Sequence, residues 1–313
     1  MDKDQPLVVI LGPTAVGKTQ IAIQLAQRLD AELVSADSRL LYRGMDIGTA
    51  KPSKQELARV PHHLVDVADP HETWSLAVFQ RAATDAIKQV HQRGKLPILV
   101  GGTGQYMRAI LDGWTPPEIK PQPALRTALA AWAEQLGKQG MHARLAVLDP
   151  AAAEHIDARN LRRTLRALEV TLASGQRFSE QRGRQPPAYR VLQIGLTRPR
   201  LELYARIDAR IQAMLADGWL EEVKSLLAKG YETTLPSLSA IGYTQLAEYL
   251  QGNLTLEQAV AEIKQKTRLF VRRQAAWFKP GDTRIQWFDA GSQSLLEKVE
   301  KEVNSFLSAK TID

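Results

Sequence analysis

A phosphate-binding loop is predicted by the spacing of eight residues near the amino terminus, Gly12-Pro13-Thr14-Ala15-Val16-Gly17-Lys18-Thr19. The glycines of such a loop let backbone N–H groups surround an anion, and the start of the following helix adds positive charge. Lys18 supplies a further positive charge, and the hydroxyl of Thr19 can hold Mg²⁺. The sequence therefore predicts a phosphorylated ligand, although the loop alone does not identify it.

The residues on either side of the loop have the pattern of a strand followed by a helix. Residues 7–11 form an apolar, β-branched run that predicts a buried strand. After the loop, apolar residues recur at helical spacing, at Ile21, Ala22, Leu25, Ala26 and Leu29. This order of strand, glycine loop and helix is the context in which the motif binds phosphate.

A carboxylate follows the next predicted strand. Residues 32–36 predict that strand, and Asp37 comes directly after it, in Asp37-Ser38-Arg39-Leu40. In open parallel α/β sheets, ligands bind beyond the carboxyl ends of the strands. Asp37 is therefore expected near the phosphates that the first loop holds. The alternative is that its carboxylate only caps the next helical turn.

Two more strands are predicted before the middle of the chain. Residues 62–67 predict a short strand, and residues 96–100 predict a buried strand that runs into Gly101-Gly102-Thr103-Gly104. ATPases with a phosphate-binding loop usually have an Asp at the end of an apolar strand, where it positions Mg²⁺. Here glycines follow instead, and glycine permits a bulky group to approach closely. The sequence therefore argues against a motor ATPase and favours a kinase or another transferase that handles phosphates.

Composition narrows the class of protein further. The chain has 313 residues, no cysteine and a net charge of +7, with a pI near 9.5. Disulfides, thiolate zinc sites and thiol catalysis are thereby excluded, and no apolar run of roughly 18 residues predicts a membrane span. Since the first residues also lack the pattern of a signal peptide, we expect a cytoplasmic protein. The positive charge favours a polyanionic partner, although so mild an excess is also compatible with none.

A region of different composition begins after Trp114. Four prolines between residues 116 and 123 predict a stiff linker, and residues 124–175 have a helical pattern throughout. We therefore predict an inserted helical subdomain. Its expected buried stripe consists of Leu161, Leu165, Leu168 and Leu172.

Arginines are concentrated on another face of the same predicted helix. A planar, permanently charged guanidinium is suited to phosphate groups, so this face is a candidate for contact with nucleic acid. The alternative is an ordinary solvated face. The arginines are Arg159, Arg162, Arg163 and Arg166.

The chain returns to the sheet at residues 191–196, which predict a strand. The helix that follows carries Arg206 and Arg210, one turn apart, beside its apolar face. A last long helix mixes basic and aromatic residues, a combination that suits an RNA backbone and unstacked bases. The alternative is that the aromatic residues only pack this helix on the sheet. These residues are Lys264, Arg268, Arg272, Arg273, Trp277 and Phe278.

Taken together, these motifs resemble those of the tRNA dimethylallyltransferase family, also called tRNA isopentenyltransferases. The resemblance covers roughly residues 7–288, and its most specific part is Asp46-Ile47-Gly48-Thr49-Ala50-Lys51-Pro52. Family members often have Gln where this chain has Leu40, and Thr where it has Ala276. The other matching motifs are residues 12–19, Asp37-Ser38, residues 101–104, residues 162–169, Arg206, Arg210, residues 240–243, Thr267-Arg268, Arg272-Arg273-Gln274 and Trp277-Phe278.

The resemblance implies a prenyl transferase. A dimethylallyl group would pass from dimethylallyl diphosphate to N6 of the adenosine directly 3′ of the anticodon, in tRNAs that read codons starting with U. Diphosphate would leave, and Mg²⁺ would be the cofactor, with Thr19 as its protein ligand. Asp37 would be the base, and Lys18 and Arg210 would stabilise the leaving diphosphate, which residues 12–19 bind.

The resemblance also implies tRNA contacts at residues from several parts of the chain. The candidates are Asp37, Ser38, Arg39, Leu40, Thr103, Arg126, Arg162, Arg163, Arg166, Ile241, Gly242, Tyr243, Arg272, Arg273, Gln274 and Trp277. We expect the contacts to be made with the anticodon stem-loop. A monomer is expected, because a channel that grips tRNA needs no partner chain.

The predicted fold is α/β, with a core like that of the P-loop-containing nucleoside triphosphate hydrolases. A parallel sheet flanked by helices would occupy residues 1–118 and 187–313, and an all-helical, tRNA-binding subdomain would be inserted at residues 119–186. A small-molecule or nucleoside kinase is the alternative function, but it does not predict the basic insertion or the glycines at residues 101 and 102. A non-catalytic RNA-binding protein does not account for Lys18 and Asp37 in one cleft.

Overall fold

The computed structural model describes residues 5–117, 119–120, 122–181, 183–185 and 189–309. The chain divides into two compact units, Met1–Leu111 with Pro187–Asp313, and Asp112–Pro186. We call the first the core unit and the second the insertion unit. The insertion predicted from sequence begins at residue 119, whereas the insertion unit of the structure begins at Asp112.

A six-stranded parallel sheet forms the centre of the core unit, as the sequence predicts. In chain order the strands are β1 (Pro6–Leu11), β2 (Ala31–Ser35), β3 (His62–His63), β4 (Leu96–Gly101), β5 (Trp114–Thr115), β6 (Gly183–Arg184), β7 (Arg190–Thr197) and β8 (Ile285–Asp289). The order across the sheet is β3-β2-β4-β1-β7-β8, and β5 and β6 lie in the insertion unit. Residues 7–11 of β1 are completely buried, which is why this parallel strand has an uninterrupted apolar sequence.

Helices connect the strands of the core unit. The predicted stripe of α1 is confirmed at Ile21, Ala22, Leu25 and Ala26, which are buried. Leu29, its last predicted member, follows the end of the helix and is half-buried. Among the described helices, none combines the length and the apolar character that crossing a bilayer requires. In chain order the helices are α1 (Lys18–Arg28), α2 (Lys54–Arg59), α3 (Leu76–Gln92), α4 (Gly104–Leu111), α5 (Pro123–Leu148), α6 (Pro150–His155), α7 (Leu161–Ser174), α8 (Arg200–Ala216), α9 (Trp219–Ala228), α10 (Tyr243–Leu250), α11 (Leu256–Ala275) and α12 (Leu295–Ser308).

The predicted strand over residues 62–67 is too long. Only His62 and His63 pair with β2. Leu64 and Asp66 then have φ angles of 61° and 56°, which an extended strand does not allow. The chain therefore leaves the sheet after two residues.

The insertion unit differs from the predicted all-helical subdomain in two respects. Among its described residues the helical region is divided into three helices, with Asp149 capping α6 and residues 156–160 separating α6 from α7. The first of them, α5, bends at Gly137, where φ is 68°. It also contains a small antiparallel ribbon, in which β5 pairs with β6. Two-residue strands have too little pattern to be predicted from sequence.

The buried face of α7 is rotated from the predicted leucine stripe. Leu168 is buried, but Leu172 is 49% exposed. The positions that face the interior are instead Thr164, Ala167, Leu168, Glu169 and Val170.

Candidate active site

The predicted phosphate-binding loop connects β1 to α1 and has a backbone that requires its glycines. Gly12 and Gly17 have φ angles of 149° and 113°, and Gly17 is the residue from which α1 starts. At Gly12 a Cβ atom would lie 2.7 Å from the carbonyl oxygen of Leu196 in β7. Ala15 has a positive φ as well, of 62°. The loop therefore turns tightly from the strand into the helix, with its apex fixed in a left-handed conformation.

Lys18, the first residue of α1, folds back over the loop. Its Nζ donates hydrogen bonds to the carbonyl oxygens of Gly12 and Pro13, at 3.0 and 2.8 Å. Burial lowers the pKa of Lys18 to about 8, an effect that Asp37 opposes and Arg210 strengthens. At neutral pH the group therefore remains mostly an ammonium ion, in a position where its charge is poorly hydrated.

Asp37 lies directly after β2, as predicted, and lines the same cavity as Lys18. Its Oδ1 accepts a hydrogen bond from the backbone N–H of Arg39, at 2.9 Å. In the part of the chain that the structure describes, its Oδ2 accepts no hydrogen bond. A cap on the following turn uses only Oδ1, so Oδ2 of Asp37 stays available to a ligand.

The two arginines of α8 differ in what they contact. Nε of Arg206 donates to the carbonyl oxygen of Ala15, at 2.8 Å, and so braces the loop. The guanidinium of Arg210 makes no hydrogen bond to any described residue, although it lines the cavity. Burial lowers the pKa of Arg210, and Asp37 opposes that shift. Arg210 is therefore a cation held inside the cavity and able to bind an anion there.

These groups surround a cavity of about 490 Å³ in the core unit. This volume is within the range of roughly 300–1,000 Å³ that is typical of small-molecule sites. The polar wall includes Lys18, Thr19, Ser35, Asp37, Arg206 and Arg210. The apolar wall includes Leu33, Leu40, Ala50, Pro52, Val65 and Val100. The cavity therefore combines an anion-binding end with a surface that suits a short hydrocarbon.

Thr19 and Asp37 are the oxygen groups that would suit Mg²⁺ in this cavity. The Thr19 hydroxyl makes no hydrogen bond within the described part of the chain, and both residues line the cavity. The described residues contain no group of three or more His, Cys, Asp or Glu that could hold a metal. Mg²⁺ is commonly held by one or two protein oxygens together with phosphate oxygens. The donor set therefore fits Mg²⁺ that arrives with a phosphorylated ligand.

The block of residues 46–52 forms one wall of the cavity through residues 49–52. Both oxygens of Glu222, in α9, accept hydrogen bonds from the backbone N–H groups of residues 46–48, at 2.8, 2.8 and 3.2 Å. Within the block, the buried Lys51 donates to the carbonyl oxygen of Tyr42, at 2.9 Å. Glu222 was not predicted from sequence, because its partners lie more than 170 residues away.

The candidate tRNA contacts after β2 are partly engaged within the protein. The Arg39 guanidinium donates to the carbonyl oxygens of Pro236 and Ser237, at 2.6 and 3.0 Å. The backbone N–H of Ser38 donates to Oγ1 of Thr103, at 3.2 Å. Arg39, Ser38 and Thr103 therefore fix loops around the cavity, while Leu40 lines its wall.

Two of the candidate tRNA contacts in the carboxyl-terminal part are buried. Tyr243 is 1% exposed, and its hydroxyl donates to Glu222 at 2.6 Å. Gln274 is 6% exposed, and both ends of its amide are hydrogen-bonded inside the protein. Both side chains are therefore engaged within the protein, and their contact with tRNA stays a prediction.

The other candidate side chains in this part lie closer to the surface, whereas Gly242 is buried. Arg272 and Arg273 are exposed at the end of α11, and Ile241 and Trp277 are half-buried. A Cβ atom on Gly242 would lie 2.0 Å from the ring of Trp219, so this glycine permits close packing. Contact of these residues with tRNA stays a prediction.

The insertion unit divides the candidate arginines into two kinds. Arg126 and Arg166 both donate to the buried carboxylate of Glu169, at 2.8 Å each. Arg162 and Arg163 are exposed and form no ion pair within the described residues. The first pair neutralises a buried acid, whereas the second pair is available to an external anion.

Fold and site together define an α/β protein of the P-loop class, in which the loop after β1, a carboxylate and a half-buried arginine line one cavity. The model of the IPP transferase family matches residues 40–281, and that of isopentenyl transferase matches residues 5–68. The chain belongs to the IPP transferase family.

Relatives and solved structures are similar to this chain over most of its length. A tRNA dimethylallyltransferase of Roseiflexus sp. (strain RS-1) is 54% identical over 274 residues, covering 88% of this chain and 90% of the relative. A crystal structure of a tRNA isopentenylpyrophosphate transferase from Bacillus halodurans is 39% identical, with a TM-score of 0.73 and 97% of each chain covered. A eukaryotic dimethylallyltransferase described as acting on tRNA is 27% identical, with a TM-score of 0.83, covering 99% of this chain and 81% of that one.

Proposed function

We propose that this protein transfers a dimethylallyl group from dimethylallyl diphosphate to N6 of the adenosine directly 3′ of the anticodon of a tRNA. The observation that carries the proposal is the cavity in which Lys18, Asp37 and Arg210 meet beside an apolar wall. The cations suit a diphosphate, the apolar wall suits a five-carbon chain, and the free carboxylate oxygen suits an amino group that must lose a proton. The names and high identities of the relatives support the same reaction.

The step forms one bond and breaks one. N6 attacks the carbon that carries the diphosphate, the carbon–oxygen bond breaks, and diphosphate leaves with the bonding electrons. Lys18 and Arg210 stabilise the charge that develops on the leaving group. Oδ2 of Asp37 accepts a hydrogen bond from the N6 amino group and then its proton. The backbone N–H of Arg39 holds the other oxygen and so orients the carboxylate.

The hydroxyl of Thr19 would hold Mg²⁺ together with the diphosphate. The ion would supply additional positive charge to the leaving group. The adenine has to leave the stack of the anticodon loop before its amino group can reach a cavity of this kind, and a loop base costs less to extrude than a paired base. Arg162 and Arg163 of the insertion unit, and the arginines that end α11, are proposed to hold the phosphates of the anticodon stem.

A small-molecule kinase is the competing function. It would use the same loop and an acid after β2, but it gives no role to an apolar wall beside the phosphate site. A kinase also does not predict the basic insertion or the glycines at residues 101 and 102.

Transfer without ATP tests the proposal. Purified protein is incubated with dimethylallyl diphosphate, Mg²⁺ and an anticodon stem-loop RNA, and the RNA is digested and analysed by mass spectrometry. We expect one dimethylallyl group on the adenosine 3′ of the anticodon, and none on a control RNA with guanosine there. Asp37→Ala should lower turnover by roughly 10²–10⁴ while tRNA affinity changes little. An absolute requirement for ATP would refute the proposal.

A further inference from the structure

The end of α11 contacts two loops of the cavity through one buried side chain. Oε1 of Gln274 accepts a hydrogen bond from the backbone N–H of Thr14, in the phosphate-binding loop, at 2.8 Å. Nε2 of the same amide donates to the carbonyl oxygen of Gly102, in the loop after β4, at 3.0 Å. Gln274 is 6% exposed. A single buried amide therefore links the two loops.

Gly102 is shaped to accept this amide. A Cβ atom on residue 102 would lie 2.3 Å from Nε2 of Gln274. At the next glycine along, a Cβ on Gly104 would lie 2.1 Å from the indole ring of Trp277. Gly102 and Gly104 thus make room for side chains at and just after the end of α11. The sequence predicts that a bulky group approaches these glycines closely, and Gln274 and Trp277 are the groups that do so.

The contact with Thr14 fixes the direction of a peptide group in the anion-binding loop. Two arginines also brace the loop, since Arg206 donates to the carbonyl of Ala15 and Arg198 to that of Val16. Gln274 differs from them because it accepts a hydrogen bond from a loop N–H. A loop that binds an anion through backbone N–H groups depends on the orientation of each peptide plane.

We propose that Gln274 is a positioning residue that holds the phosphate-binding loop in the conformation that binds diphosphate, and that Gly102 is a glycine so that this amide can reach both loops. The proposal deepens the proposed function, on which it rests for the identity of the donor. It assigns to Gln274 a role at the donor site in place of the tRNA contact that the resemblance implies.

Binding of inorganic diphosphate with Mg²⁺ tests the proposal by calorimetry. Gln274→Met keeps the length of the side chain and removes both hydrogen bonds, so we expect diphosphate to bind about tenfold more weakly. Gly102→Ala should act in the same direction. The matched control is Gln193→Met, because Gln193 is a buried amide of β7 whose Oε1 has no partner among the described residues, and it should bind diphosphate normally.

The losses of diphosphate affinity in Gln274→Met and Gly102→Ala should not be additive. If Gly102→Ala acts by displacing the amide, then adding Gln274→Met should weaken binding little beyond the larger single effect. Additive losses would overturn the proposal. So would wild-type affinity for diphosphate in a Gln274→Met protein that is folded by circular dichroism.

A pH profile of Gln274→Glu keeps the test decisive if Gln274→Met does not fold. A neutral carboxylic acid can donate to the carbonyl of Gly102 and accept from the N–H of Thr14, as the amide does, whereas a carboxylate repels that carbonyl. The ratio of variant to wild-type diphosphate affinity should therefore rise as pH falls, while tRNA affinity stays unchanged. A ratio that does not change with pH would overturn the proposal.

The test of the role of Gln274 can be distinguished from the test of the proposed function. Inorganic diphosphate is the probe, so binding is measured without any transfer to RNA. If the wild-type protein binds diphosphate but modifies no tRNA, the proposed function fails while the comparison of variants still decides the role of Gln274.

Discussion

Glu222→Gln is predicted to loosen one wall of the cavity. Oε2 of Glu222 accepts from the backbone N–H groups of Asp46 and Ile47, and Oε1 accepts from the N–H of Gly48 and from the hydroxyl of Tyr243. Four donors therefore converge on one carboxylate. Burial, together with the nearby Glu222 charge, raises the pKa of Tyr243, so its hydroxyl remains a donor throughout the ordinary pH range.

The magnitude follows from the number of donors that lose their acceptor. A glutamine at this position offers one oxygen, which can accept two of the four bonds, and its NH₂ group faces the other two donors. Each buried donor left unsatisfied costs about 1–3 kcal/mol. If the NH₂ group faces Asp46 and Ile47, the exposed N–H of Asp46 can bind water and only that of Ile47 is left unsatisfied, so we expect Glu222→Gln to lower the free energy of unfolding by about 1–3 kcal/mol.

Urea unfolding followed by tryptophan fluorescence measures this change. Glu221→Gln is the matched control, since Glu221 has 72% of its side chain exposed and lies 3.8 Å from Lys224. The control should change the free energy of unfolding by about 0.5 kcal/mol or less. Because residues 49–52 line the cavity, the KM for the donor should also rise in Glu222→Gln only. Equal stability of the two variants would refute the reasoning.

Two further predictions concern charge. The double variant Arg162→Ala with Arg163→Ala should weaken tRNA binding, because the two exposed arginines are proposed to contact phosphates. The slope of log affinity against log salt concentration should become smaller in magnitude by about 2, and diphosphate binding should stay unchanged. Filter binding at several salt concentrations measures this, with the exposed Arg144→Ala as the control, and an unchanged slope would contradict it. Since burial lowers the pKa of Lys18 to about 8, and its charged form exists below that pKa, diphosphate affinity should fall as pH rises through about 8. Calorimetry across that range should find the loss in the wild type and no comparable step in Lys18→Met.

Local patterns were sufficient to predict the conformation of the loop after β1 and the position of Asp37. The strand, loop and helix around Gly12–Lys18 form a continuous segment, so spacing and periodicity predict them directly. The position of Asp37 followed from the rule that parallel strands present their carboxyl ends at one edge of the sheet. Both inferences need only residues that are close in sequence, or a general property of the sheet.

Long-range contacts and buried charge could not be predicted in this way. Gln274 is 260 residues from Thr14, and Glu222 is 176 residues from Asp46, so no periodicity connects either pair. The basic helix of the insertion unit contained one usable signal, since Arg166 and Glu169 are spaced for an ion pair within a helix. That pair separates Arg166 from the exposed Arg162 and Arg163.

The position of β1 in the sheet has a consequence for synthesis on the ribosome. Residues 6–11 pair along their whole length with residues 190–195 of β7, and about 90 residues lie between the end of β4 and the start of β7. At translation rates of roughly 5–20 residues per second, one edge of the most apolar strand stays uncovered for on the order of 5–20 s after β4 has emerged. During that interval the nascent chain exposes a hydrophobic strand edge, which is the feature that promotes aggregation and chaperone binding.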